Sequence, residues 1–369
     1  MKEGTLRVLI VKVSSLGDII HTLPAITDAK LARKDIVFDW VVEEAFTEIP
    51  YWHPAVENVI PVALRRWKRT LFRTFFNREF RNFRRNLKRQ HYDLVIDAQG
   101  LIKSGVISRL SSGLTIGLSD KAAREPLATV FYNKVYSVSW DDHAVERVRE
   151  LFSRALQYSY DKESTDYGLD LSLVLKIAGA KGFECHSSES PTIIFLHGTT
   201  WATKHWPVEY WQALVRRAVD CGYKVLLPWG DEVERCRAEE IVVEHSEAIV
   251  LPRLSLSELA LKIASAAGVI SVDTGLGHLA AALGKPTVSL YGPTDAALSG
   301  TVGNNQVHLS SSFPCAPCKK KTCFYQGGSQ LESLSDKNSS ALVTKPPCFS
   351  RLPPDLVWKQ FELVLEDAS

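Results

Sequence analysis

The sequence predicts an α/β protein made of two Rossmann-like domains, each a parallel sheet wound with helices. Three observations carry that reading. Short apolar, β-branched runs alternate with helical stretches along most of the chain, the pattern of repeated βαβ units. The alternation stops at a polar, small-residue stretch, Gly179 to Pro191, and then restarts. At 369 residues the chain is also too long for one comfortable core. The expected domains are residues 1–180 and 190–350, with an irregular cysteine-bearing insertion at 310–348 and a last helix at 353–369 packing back on the first domain. Polar strand ends recur in both halves, so the sheets are expected to face each other across a cleft, a favoured place for ligands.

In chain order, Leu6–Val13 reads as a strand and Asp18–Ala32 as a helix entered through Ser14-Ser15-Leu16-Gly17-Asp18. Ile36–Val42, Val56–Pro61, Leu94–Asp97 and Leu114–Gly117 read as strands, and His143–Tyr158 as a long helix. After the boundary come strands at Thr192–His197, Lys224–Pro228 and Ala248–Leu251, alternating with helices at Val208–Cys221, Glu232–Glu244 and Leu256–Ala267. Ile270–Asp295 then holds the end of a buried strand, a glycine turn, a helix and another buried strand closing on Gly292-Pro293-Thr294. Pro353–Glu366 is the final helix.

Composition narrows the function. Apolar content of 45% and charge of 23% fit a globular enzyme. No apolar run reaches the ~18–20 residues that cross a bilayer. The first strand begins almost at once, with Lys12 inside it, so no secretory leader is expected and the protein is expected in the cytoplasm. Seven cysteines, an odd number with Cys185, Cys221 and Cys236 well apart, argue against a secreted disulfide framework. The net charge of +2 hides an asymmetry. Leu64–Gln90 holds eleven Lys or Arg and one acid, Glu79, and the rest of the chain is net −8.

Five stretches can carry chemistry. Asp18 follows the first strand, where a carboxylate is either a dipole-stabilised helix-start residue or a group beside a glycine that lets substrate approach. Asp273-Thr274-Gly275, with His278 one turn on, places an acid, a hydroxyl and a bare backbone at a helix N-terminus, which favours phosphate; an ordinary strand–helix joint is the plain alternative. His197-Gly198-Thr199-Thr200 to Lys204 offers two hydroxyls and a point charge suited to a diphosphate, or simply a surface lysine. In the basic run, Phe72, Phe76, Phe80, Phe83 and Leu87 share one helical face among arginines. That face can pack on a core while the basic side meets an anionic lipid surface or acceptor. RNA is the competing partner, but no nucleic-acid motif accompanies the charge. Cys315, Cys318, Cys323 and Cys348 supply four thiols, but only the first pair has metal-knuckle spacing, and no tightly held metal is expected.

With these residues laid out, the chain resembles glycosyltransferase family 9, the heptosyltransferases of lipopolysaccharide inner-core synthesis. The likeness runs from about Leu6 to Gly300, through Val11-Lys-Val-Ser-Ser-Leu-Gly-Asp18, Trp40-Val-Val-Glu-Glu44, Val62-Ala-Leu-Arg-Arg-Trp67, Asp97-Ala-Gln-Gly100, Ala123-Arg-Glu-Pro126, Lys204-His-Trp-Pro207, Leu227-Pro-Trp-Gly230 and Val272-Asp-Thr-Gly275. The cysteine-bearing insertion departs from the family's first-heptose enzymes and resembles a pattern of its second-heptose enzymes. The resemblance implies a GT-B fold and inverting transfer of L-glycero-D-manno-heptose from ADP-heptose to the inner Kdo of Kdo2-lipid A, without a cofactor. It implies Asp18 as general base, a carboxylate from the domain opposite the donor as inversion requires. Thr199, Thr200 and Lys204 are implied at the diphosphate, Asp273, Thr274, Gly275 and His278 as further donor contacts, and Glu234 and Leu254 at the adenosine. Ser15, Arg65, Arg66, Lys68 and Arg124 are implied on the acceptor side. The protein is then expected on the cytoplasmic face of the inner membrane, with no nucleic-acid partner. A second-heptose transferase and a non-transferase sugar-nucleotide enzyme of the same fold stay open as alternatives.

Overall fold

The computed structural model describes residues 4–67, 78–179, 190–243, 245–325 and 346–368. The chain divides into two compact units, Met1–Phe183 with Ser255–Leu261, and Glu184–Leu254 with Lys262–Ser369. Each is built on a six-stranded parallel sheet.

The first sheet holds β1 (Leu6–Val11), β2 (Ile36–Glu43), β3 (Val56–Val62), β4 (Leu94–Asp97), β5 (Leu114–Leu118) and β6 (Lys134–Tyr136), in spatial order β3-β2-β1-β4-β5-β6. Val8–Val11 is wholly buried, as a central parallel strand covered on both faces must be. The helix read as Asp18–Ala32 is two, Leu16–Ile20 and Leu23–Ala32, parted at His21-Thr22. Pro24 sits in the first turn of the second, where its missing N–H costs nothing. That second helix packs on Ala144–Leu156, whose buried Arg149 grips both Asp28 oxygens through one guanidinium edge, at 2.7 and 3.1 Å. The basic helix is described over Arg78–Leu87. Its Phe83 and Leu87 join the core with Trp67, while Arg81, Arg84, Arg85, Lys88 and Arg89 stay exposed. Phe72 and Phe76 lie outside the described residues.

The second sheet holds β7 (Thr192–Leu196), β8 (Lys224–Leu227), β9 (Ala248–Val250), β10 (Gly268–Val272), β11 (Thr287–Tyr291) and β12 (Gln306–Ser310), in order β12-β11-β10-β7-β8-β9. Counted from its own first strand, this is the order of the first sheet again. In both, the chain reverses direction of growth between the first and fourth strands, and ligands of open α/β sheets bind beyond that point. β6 and β12 are the strands that the sequence pattern misses; each is short or only half-buried.

Two domain expectations need correcting. Ser255–Leu261 groups with the first unit, where Ser257 accepts from the Trp52 indole at 3.0 Å and donates its N–H to Glu48 at 2.8 Å. The last helix, Pro354–Asp367, was expected to return to the first domain. Its apolar face, Val357, Trp358, Phe361 and Val364, instead enters the core of the second unit, against the helix Val208–Asp220 and β10 to β12. Phe361→Ala should therefore lower the stability of the second unit by about 3–5 kcal/mol, as a large buried ring lost from a core does. Denaturant unfolding followed by domain-resolved hydrogen exchange checks it; destabilisation confined to the first unit would contradict this packing.

Candidate active site

Two polar clusters form, one in each unit, and both stand beyond the first and fourth strands of their sheet. In the first unit, Asp18 occupies the first turn of the helix Leu16–Ile20. One carboxylate oxygen accepts from the Ser15 N–H at 2.8 Å and the Ser15 hydroxyl at 2.9 Å. The other faces Arg124 Nη2 at 3.1 Å and Lys12 Nζ at 3.8 Å. Burial pushes the Asp18 carboxyl up, but Lys12, Arg124 and the Ser15 N–H together outweigh it and hold the group well below the usual carboxylate range. Burial pulls Lys12 down, with Asp18 opposing. The Lys12 ammonium also donates to the Ala98 carbonyl at 2.8 Å.

The loop that presents Asp18 is held from a distance. Gln99 Oε1 accepts the N–H groups of Val13 and Ser14 at 3.1 and 3.2 Å. Asp97 in turn accepts the Gln99 N–H at 2.8 Å and the Tyr132 hydroxyl at 2.8 Å. Arg147 lies on the Trp140 ring, 3.7 Å from its centroid, and donates to the Ala122 carbonyl at 2.9 Å. Lys12, Asp18, Gln99, Arg124 and Arg147 line one cavity of about 40 Å³. Three cations thus share a pocket with one carboxylate, an arrangement that attracts further negative charge.

Ser15 and Arg124 belong to this cluster, as expected. Arg65 and Arg66 have other partners. The Arg65 guanidinium lies over the Phe46 ring at 5.2 Å, and Arg66 is clasped by Glu44 and Glu79, each at 2.9 Å. Lys68 lies outside the described residues.

In the second unit, Asp273 is the centre. Its Oδ2 pairs with Lys204 Nζ at 2.8 Å and accepts from the Thr294 hydroxyl at 2.5 Å, and its carbonyl accepts from Thr199 at 3.2 Å. The ends of β7, β10 and β11 are thereby tied together. Lys204 also stands over the Trp201 ring, 4.6 Å from its centroid, with Lys321 at 5.4 Å. Thr274 starts the helix Gly275–Ala282 without a side-chain cap bond, and His278 is buried within that helix. Glu234 accepts the Gly230 N–H at 2.7 Å and packs against Gly198, where a Cβ would meet its carboxylate at 2.6 Å. Burial pushes the Glu234 carboxyl up against the pull of that N–H. Thr200 is exposed, and Leu254 lies half-buried in the loop after β9.

Sequence reasoning gave no role to Lys12, Gln99, Arg147, Trp201 or Thr294. Lys12 carried a visible signal, a lone charge inside an apolar strand. Gln99 acts across 85 residues of chain, and nothing local announces that.

The sequence model of glycosyltransferase family 9 (heptosyltransferase) matches residues 80–328. Lipopolysaccharide heptosyltransferase 1 of Pseudomonas aeruginosa is 51% identical over 361 residues, which cover 98% of either chain. The solved structure of E. coli heptosyltransferase WaaC with ADP superposes with a TM-score of 0.76 at 45% identity, covering 83% of this chain and 93% of that one. The same enzyme with ADP-2-deoxy-2-fluoro heptose gives 0.73 at 44% identity, with the same coverage.

The charge balance at Asp18 sets a pH dependence. A carboxylate whose folded pKa is depressed contributes stability above its unfolded pKa, about 3.9, and loses it as pH falls through the folded value. The stability gap between wild type and Asp18→Asn should thus be flat from pH 8 to about 5 and narrow only below about 4. Unfolding free energies measured across that range check it. A gap closing between pH 5 and 7 would mean that Lys12 and Arg124 do not hold the group ionised.

Proposed function

The chain belongs to glycosyltransferase family 9, and on that premise we propose that it moves L-glycero-D-manno-heptose from ADP-heptose to the inner Kdo of Kdo2-lipid A, with inversion at the anomeric carbon. The architecture is GT-B, two parallel six-stranded α/β units. The observation that carries the proposal is the ionised Asp18 among Lys12, Arg124 and Arg147.

A sugar hydroxyl is a poor nucleophile, and losing its proton as the new bond forms lowers the barrier. Asp18 is the general base. With two cations beside it, the carboxylate is ionised but weakly basic. An acceptor carboxylate engaging the exposed Arg124 side chain would draw that cation away, and Asp18 would become the stronger base when substrate arrives. Kdo carries such a carboxylate. On the donor side, the diphosphate gathers negative charge as the bond to heptose breaks. Lys204, Thr199, Thr200 and the N–H groups opening the helix Gly275–Ala282 stabilise it in this reading. Asp273 and Thr294 hold Lys204 in position. His278, Glu234 and Leu254 complete the donor contacts, with Glu234 and Leu254 toward adenosine.

The test is release of ADP from ADP-heptose with and without Kdo2-lipid A: the proposed enzyme releases it in quantity only with the acceptor. Asp18→Asn should cut turnover by roughly 100- to 10,000-fold with donor affinity nearly kept. Lys204→Ala should weaken donor use by a contact worth roughly 1.5–3 kcal/mol. Near-normal turnover in Asp18→Asn would remove the general base, and acceptor-independent ADP release would favour a non-transferase.

The acceptor is lipid-anchored, and the outward side of the helix Arg78–Leu87 is suited to the anionic surface that holds it. No helix among the described residues is long and apolar enough to cross a membrane, so the proposed association is peripheral, on the cytoplasmic face of the inner membrane. Sedimentation should show preference for anionic over neutral vesicles, lost as salt rises. Equal partitioning onto both would leave this helix a packing element only.

A further inference from the structure

The chain beyond β12 gathers four cysteines that the sequence scatters over 34 positions. Cys315, Cys318 and Cys323 come from one segment and Cys348 from the turn Pro347–Arg351, and all four line a single cavity beside Gly292 and Pro293. The cavity measures about 20 Å³, room for one atom-sized occupant. Its position is built into the fold. A Cβ on Gly292 would stand 2.9 Å from the Cys348 sulfur, so only glycine admits that side chain without a shift. Ser311 Oγ donates to the Cys348 carbonyl at 2.7 Å, and the Lys319 N–H donates to the Pro293 carbonyl at 2.7 Å. The two cysteine segments are thus fastened to the ends of the neighbouring strands β11 and β12.

We propose that Cys315, Cys318, Cys323 and Cys348 bind one thiophilic metal ion, zinc(II) or iron, as a four-thiolate structural site. Four sulfurs around one small space is the donor set that such ions take tetrahedrally. Spacing argued against a metal because Cys323 and Cys348 are no knuckle pair; the fold supplies by position what the spacing lacks. Among the described residues, no three ligating side chains already stand in a metal-holding arrangement, so binding draws the thiols inward, and each releases its proton to solvent as it ligates. Four thiolates around a divalent ion leave two negative charges, and Lys319, Lys320 and Lys321 lie between the second and third cysteines to offset them.

The consequence reaches the Asp273 cluster. Thr203, next to Lys204, donates its hydroxyl to the Lys320 carbonyl at 2.7 Å, and Pro293 precedes the Thr294 that bonds Asp273. A metal here stiffens the support of Lys204 and touches no substrate. The proposal is independent of the transferase reading.

Full-length protein, purified without chelator or histidine tag, should carry about one equivalent of zinc or iron by elemental mass spectrometry, which also says which. Cys318→Ser and Cys348→Ser should each lose most of it, whereas Cys221→Ser and Cys236→Ser, at exposed free thiols, should keep it. Because a ligand variant can fail to fold, reduced metal-free wild type is also titrated with cobalt(II). Thiolate charge-transfer and tetrahedral visible bands should grow to saturation at about one equivalent. Metal below about a tenth of an equivalent together with no cobalt bands would overturn the proposal. Full metal retention in both Cys318→Ser and Cys348→Ser would do the same.

Discussion

A parallel sheet sends the carboxyl ends of all its strands to one edge, and this constraint decides where both clusters stand. In each unit the chain starts at the middle strand, grows one way for three strands, then returns and grows the other way. The loops after the first and fourth strands therefore diverge to opposite faces and leave a gap between them. Lys12, Ser15 and Asp18 enter that gap from β1, and Ala98 and Gln99 from β4; in the second unit Thr199 and Lys204 come from β7, Asp273 and Thr274 from β10. In both, short polar segments begin where apolar strands stop, and the segment after β1 carries a cis peptide bond between Ser14 and Ser15.

Within that frame, charge is handled differently in the two units. Around Asp18 cations outnumber the carboxylate, and the Ser15 N–H and hydroxyl add two hydrogen bonds. Around Asp273 one cation meets one anion, with Thr294 donating to the same carboxylate oxygen and Thr199 to the backbone carbonyl. The first pocket keeps a surplus of positive charge. The second keeps a neutral pair that an incoming polyanion can reorganise, with Trp201 as a rigid wall beneath two lysines.

The strands and the glycine turns were legible because each is written in contiguous residues. β1, β4, β7 and β10 are short apolar runs, and their polar successors follow directly. What escaped was written across the chain. The Gln99 carbonyl serves N–H groups 85 and 86 residues earlier. Arg66 is implied on the acceptor side by the resemblance, but Glu44 and Glu79 reach it from 22 and 13 residues away. The final helix carries an apolar face that says it must pack, and nothing local says on which unit; only the complementary surface of the second sheet settles that. The helix break at His21-Thr22 has a local signal in Pro24, which stands in the first turn of the second helix.

The surplus of positive charge around Asp18 bears on which small molecules can bind there. Such a molecule has to supply an anion, or leave guanidinium and ammonium groups desolvated without a partner. Tight binders will therefore be drawn toward carboxylates and their mimics. The same charge slows their passage through a lipid bilayer, whose core penalises ionised groups. Potency and permeability are thus opposed by the chemistry of a single pocket.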